Sequence, residues 1–156
     1  MTNSVFLPAE ADTVVLGAAL ARAVAPGQTV FLHGDLGAGK STLARAFLRS
    51  LGWTGPVRSP SYALVHTYRT GERIVHHLDL YRISSVEEAE GLDLDEIFSP
   101  ATSCLVEWPD RLGGTRTAAW QVWLAMEREG RRAVLQAPSP EHLEAILAPH
   151  RQENPS

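Results

Sequence analysis

Residues 33–42 read HGDLGAGKST: glycine at 34, 37 and 39, then Lys40 and the hydroxyls of Ser41 and Thr42. The run TVFL lies just before, short, apolar and partly β-branched, which predicts a buried strand. TLARAFLRSL follows with apolar residues at three- and four-residue spacing, which predicts a helix to about Leu51. A glycine-rich turn between a strand and a helix, in the order G-x-x-x-x-G-K-[ST], is a phosphate-binding loop. Glycine lets the backbone curl so that successive N–H groups face one anion, and the helix N-terminus adds a favourable dipole. The expected ligand contacts are Asp35, Leu36, Gly37, Ala38, Gly39, Lys40, Ser41 and Thr42. Lys40 reaches the β and γ phosphates as a point charge, and the Ser41 hydroxyl coordinates Mg²⁺.

The flanking chain fits one P-loop NTPase-like domain over residues 1–150, a three-layer α/β sandwich with a mixed, partly parallel sheet, and a flexible tail at 151–156. AEADTVVLGAALARAV predicts an amphipathic helix ending before Pro26-Gly27. YALVHTYR and RIVHHLDLY, around TGE, predict a strand pair. SSVEEAEGLDLDEIF predicts two short helical turns, with Ser85 as an N-cap and Glu88 three residues on. CLVEW is strand-like and stopped by Pro109, AAWQVWLAME with RRAVLQA forms a late hairpin, and SPEHLEAILAPH a closing helix capped by Ser139.

With 156 residues, 44% of them hydrophobic, a net charge of -4 and a pI near 5.8, the chain can bury one core but lacks a broad electrostatic grip on RNA. Any link to nucleic acid runs through a partner. The single cysteine, Cys104, lies in an apolar run and reads as a buried small hydrophobe. There is no apolar run of membrane-spanning length, and MTNSVFLPAEAD lacks a basic segment followed by a hydrophobic one, so no membrane role and a cytoplasmic location are expected.

A phosphate-loop enzyme also needs an acidic group at a strand end to hold the metal and orient the attacking oxygen. Asp79, ending IVHHLD, and Glu107, ending CLVE, are the candidates, and a parallel arrangement brings both strand ends beside the loop. With Lys40 they are the expected catalytic residues; Ser41 is an expected metal ligand, and either carboxylate could join it on the ion. His76 and His77 are adjacent on a strand and face opposite sides, so they do not share an ion and are expected to hydrogen-bond or pack.

The order of motifs, GDLGAGKST, VRSPSYALVHTY, HLDLYRI and LVEWPDR, resembles the TsaE (YjeE) family of bacterial ATPases from about Leu7 to Leu112, and only weakly beyond Gly113. That resemblance implies a role in making threonylcarbamoyladenosine at position 37 of tRNAs that read ANN codons. It implies ATP and Mg²⁺ as cofactors, TsaB and TsaD as partners, contact with tRNA only through them, and ATP hydrolysis that resets their complex. It places a switch-like loop at Ser59-Pro60-Ser61-Tyr62, an acidic residue of the nucleotide site at Asp79, a metal-associated carboxylate at Glu107, Trp108 beside the site, and Thr13 near the adenine. Thr13 is equally readable as an ordinary first-turn helix residue. The chain departs from the family pattern at Ser61 and Ala63, where threonines are usual, and at Ser41, where threonine is commoner. Two further readings stay open: a small-molecule kinase, because the same cradle can pass phosphate to a hydroxyl, and a nucleotide-gated interaction module with negligible turnover.

Overall fold

A computed structural model describes residues 3–60 and 62–151. Its strands are β1 (Ser4–Leu7), β2 (Thr29–His33), β3 (Val65–Thr70), β4 (Arg73–Asp79), β5 (Thr102–Glu107), β6 (Trp120–Glu127) and β7 (Gly130–Gln136). The helices are α1 (Glu10–Ala23), α2 (Lys40–Ser50), α3 (Val86–Glu90), α4 (Leu94–Ile97) and α5 (Pro140–Arg151), with a 3₁₀ turn at Pro109–Leu112. All strands join one sheet in the order β1-β7-β6-β2-β5-β4-β3. β2 runs parallel to β5 and β6, and β4 parallel to β5, while the hairpins β3–β4 and β6–β7 and the pair β1–β7 are antiparallel. The sheet is therefore mixed, parallel at its centre and antiparallel at both margins.

The central strands read as unbroken apolar runs because both faces are covered. β5 is buried along its whole length and β2 along all but His33. On one face α1, α2 and α5 pack over Val30, Leu32, Leu105 and Val122; on the other α3, α4 and the 3₁₀ turn pack over Phe31, Leu78, Cys104 and Val106. These are the two cores of a three-layer α/β sandwich. α1 and α2 approach closely at Gly17, where an added Cβ would lie 2.6 Å from the Leu43 carbonyl oxygen.

Local signals account for the element ends. Asp12 accepts the Ala9 N–H at the start of α1 (2.9 Å), Ser85 Oγ accepts the Glu88 N–H at the start of α3 (3.3 Å), and Ser139 Oγ accepts the His142 N–H at the start of α5 (3.2 Å). Glu88 also reaches back, but to Ser84 rather than Ser85: the Ser84 hydroxyl donates to its carboxylate at 2.5 Å. Patterning gives no strand before Glu10, yet β1 is there; four residues cut off by Pro8 carry no periodicity, and β1 is held by its ladder with β7 and by Leu7, which is buried in the core. Arg151 closes α5 and pairs with Glu144, so that helix runs one residue into the stretch read as tail; residues 152–156 lie outside the described residues. Among the described residues no helix is long and apolar enough to cross a membrane.

Cys104 is buried and points its thiol at the Ile97 carbonyl (3.1 Å). Burial pushes that thiol up from 9.0 to about 12. The folded chain keeps the proton that the unfolded chain releases above pH 9, so this group's stabilising effect is complete below pH 9 and is lost as pH rises towards 12. Denaturant titrations should show wild-type stability falling more steeply above pH 9 than that of Cys104→Ala, by up to about 1.4 kcal/mol per pH unit. Equal slopes would mean that the thiol ionises in place.

Candidate functional site

The loop between β2 and α2 turns on three glycines at positive φ, Gly34 at 147°, Gly37 at 82° and Gly39 at 110°. A side chain at Gly34 would also run into the Leu124 carbonyl of β6, 2.5 Å from an added Cβ. Gly39 caps α2, so the N–H groups of Lys40, Ser41 and Thr42 open the helix with no intrahelical acceptor and face outward as donors.

Lys40 is only 4% exposed. Its ammonium donates to the Gly34 carbonyl (2.5 Å) and sits 4.2 Å from the centroid of the Trp108 ring. Burial lowers its pKa below the ordinary lysine value, and the nearby carboxylates of Glu107, Asp79, Asp35 and Asp110 oppose that shift.

Those acids arrive through sheet register. β4 and β5 run parallel with Asp79 directly opposite Glu107, and Leu32 of β2 lies opposite Glu107 on the other side. The two strand ends therefore stop level with the start of the loop, as a parallel sheet with crossover connections requires. Asp79 and Glu107 are 7% and 4% exposed. Asp79 Oδ1 accepts the Tyr81 N–H (3.0 Å), and Glu107 Oε2 pairs with His77 Nε2 (2.7 Å). His76, on the other face, bonds Thr67 instead (2.9 Å), so the two histidines divide as strand alternation predicts.

Trp108 ends β5 in the left-handed region (φ 57°), a turn rather than the extended form that the following proline favours. The turn brings the indole against both Lys40 and Tyr81, whose ring centroid lies 5.0 Å from that of Trp108.

A cleft of about 450 Å³ opens beside the loop and the strand ends. Thr13, Leu36, Gly37, Gly39, Lys40, Ser41, Thr42, Asp79, Glu107 and Trp108 all border it. Asp35 and Ala38 do not: Asp35 is exposed and Ala38 is buried in the core. Thr13 is buried, with its methyl 3.9 Å from where a Gly39 Cβ would be. Ser59 borders the cleft, Tyr62 is exposed with the Arg82 guanidinium 4.3 Å from its ring centroid, and Ser61 lies outside the described residues.

The opposite wall was not legible in the motifs. It comes from the β1–α1 junction and from Glu129, Gly130 and Arg131 at the β6–β7 turn. Arg131 braces the glycine-rich loop: its Nε donates to the Ala38 carbonyl and its Nη2 to the Gly37 carbonyl, both at 3.0 Å. The alternation of GRR puts Arg131 and Arg132 on opposite faces, but only the pairing of β7 with β1 and β6 shows which one meets the loop.

The family model described as threonylcarbamoyl adenosine biosynthesis protein TsaE matches residues 7–134. The chain belongs to the TsaE family. The match runs past Leu112 into β7, so the late hairpin is part of the family pattern. A tRNA threonylcarbamoyladenosine biosynthesis protein TsaE of Haemophilus influenzae is 43% identical over 82 residues, 53% of this chain and 52% of that protein. The chain thus spans about half the length of that relative. A protein of the same name from a Nostoc species is 33% identical over 83% of this chain and 82% of its own length. Among solved structures, Bacillus subtilis YdiB superposes with a TM-score of 0.74 at 26% identity, covering 97% of this chain and 95% of that one.

In this TsaE-family chain the Arg131 fork holds two adjacent loop carbonyls, which a lysine's point charge does not reproduce. Amide hydrogen exchange at residues 37–40 is expected to speed up roughly tenfold in Arg131→Met, the loss of about 1.4 kcal/mol of local stability, and to recover only in part in Arg131→Lys. Unchanged exchange would mean that the loop keeps its shape without the brace.

Proposed function

We propose that this TsaE-family chain is a Mg²⁺-dependent ATPase whose turnover resets a complex of TsaB and TsaD during threonylcarbamoyladenosine formation on tRNA. The observation that carries this reading is the convergence of Lys40, Ser41, Asp79 and Glu107 on one cleft from three separate elements. Two carboxylates buried side by side repel each other unless cations share the space, and one buried ammonium supplies only part of the compensation. The remaining donors, the Ser41 hydroxyl and the carboxylate oxygens, are the hard oxygen ligands that suit Mg²⁺, and among the described residues no cysteine or histidine borders the cleft. Ser41 and Glu107 would hold the ion, which supplies neutralisation of phosphate charge when bound.

The chain's own groups then divide the work. The outward N–H groups at the start of α2 bind the polyphosphate, and Lys40, which now rests on a carbonyl, exchanges that acceptor for phosphate oxygens. Asp79, fixed by the Tyr81 N–H, orients the attacking water. Leu7, Thr13 and the β6–β7 turn form the wall that would receive the nucleoside. The acidic balance of the chain supports an indirect relation to tRNA, with the partners making that contact.

Phosphate release from ATP and Mg²⁺, measured with no acceptor present, tests the reading. Release is expected to be slow for the chain alone and faster with TsaB and TsaD. Lys40→Ala should bring it to background, and Asp79→Asn and Glu107→Gln should each lower it by on the order of tenfold or more. Transfer only to an added hydroxyl compound would make the protein a kinase. Nucleotide binding with no release, even beside the partners, would make it an interaction module.

A further inference from the structure

His77 is 2% exposed, and the only hydrogen bond of its side chain among the described residues is the one to Glu107. It lies on β4 two residues before Asp79, on the same face, and its Nε2 is 2.7 Å from Glu107 Oε2 on β5. An ionised carboxylate only accepts hydrogen bonds, so Nε2 carries the proton and donates it. The other ring nitrogen, Nδ1, is buried with no partner among the described residues. Burying an imidazole with one nitrogen unsatisfied costs stability, and an apolar side chain of similar size would fill this core position without that cost. A polar group kept in the core for one bond calls for a reason beyond packing.

We propose that His77 is a positioning residue for Glu107. Its N–H holds Oε2, removes the rotational freedom of a long carboxylate side chain, and leaves Oε1 as the oxygen available for ligation. The imidazole of this second layer thereby sets the affinity for the cation rather than the affinity for the nucleotide. This rests on the reading of the cleft as a Mg²⁺–nucleotide site.

Calorimetric binding of ADP, with and without Mg²⁺, tests the role without relying on turnover. In wild type, Mg²⁺ should strengthen ADP binding. His77→Leu should need about tenfold more Mg²⁺ for the same effect, the range seen when the hydrogen-bond partner of a metal ligand is lost. Its affinity for ADP without Mg²⁺ should be unchanged. His77→Gln, which places an amide N–H near the position of Nε2, should restore most of the Mg²⁺ dependence. If His77→Leu does not fold, His77→Asn replaces it, because its shorter amide cannot reach Oε2. Wild-type Mg²⁺ dependence in His77→Leu or His77→Asn, equal loss of ADP binding with and without Mg²⁺, or a glutamine variant no better than leucine would each overturn the assignment. A wild-type protein that binds ADP identically with and without Mg²⁺ would overturn the metal reading itself, and this inference with it.

Discussion

Asp79 and Glu107 end adjacent parallel strands in register, and each is almost wholly withdrawn from water. Two like charges held so close are tolerable only if the protein brings positive charge to them. Lys40 does part of this: it is buried within the same field, and four carboxylates oppose the effect of burial on its pKa. The rest of the site can be understood from that constraint. The loop must bend back to carry its lysine over the strand ends, which requires the positive φ of Gly34, Gly37 and Gly39. Trp108 must leave the strand at once, which its left-handed backbone achieves, and its ring then forms the side wall for the ammonium.

The same constraint links the site to the sheet's margins. Arg131 comes from β7, which β1 and β6 flank, and it holds the loop from behind through two carbonyls. Those carbonyls point away from the cleft when the loop's N–H groups point into it, so a donor on the outside favours the curled shape. The antiparallel margins thus do more than extend the sheet. They supply a brace for the loop and the wall opposite the carboxylates.

Much of this was legible in the chain because it is local. The spacing of HGDLGAGKST marks a glycine-rich turn between a strand and a helix, which is where the structure has it, and the ends of IVHHLD and CLVE name their acids because strands stop where Pro109 or a turn begins. Strand alternation separated His76 from His77 correctly. What was not legible is non-local. β1 is four residues held by an edge ladder, Arg131 acts across the sheet on a loop more than 90 residues earlier, and the His77–Glu107 bond exists only because β4 and β5 pair in one register. No pattern within one segment contains a register between two. Trp108 lies between these cases: Pro109 marks the end of the strand, but the left-handed turn goes with the contacts of the indole to Lys40 and Tyr81, which no local pattern contains.

A crystal structure of the chain with Mg²⁺ and a non-hydrolysable ATP analogue tests the central claim most directly, because it reads the position of the ammonium, the ion and both carboxylates at once. The account predicts polyphosphate cradled by residues 37–42, Lys40 Nζ moved from the Gly34 carbonyl to phosphate oxygens, and the ion between Ser41 and Glu107. Polyphosphate bound elsewhere, or an ion held away from both strand-end carboxylates with Lys40 still on Gly34, would contradict it.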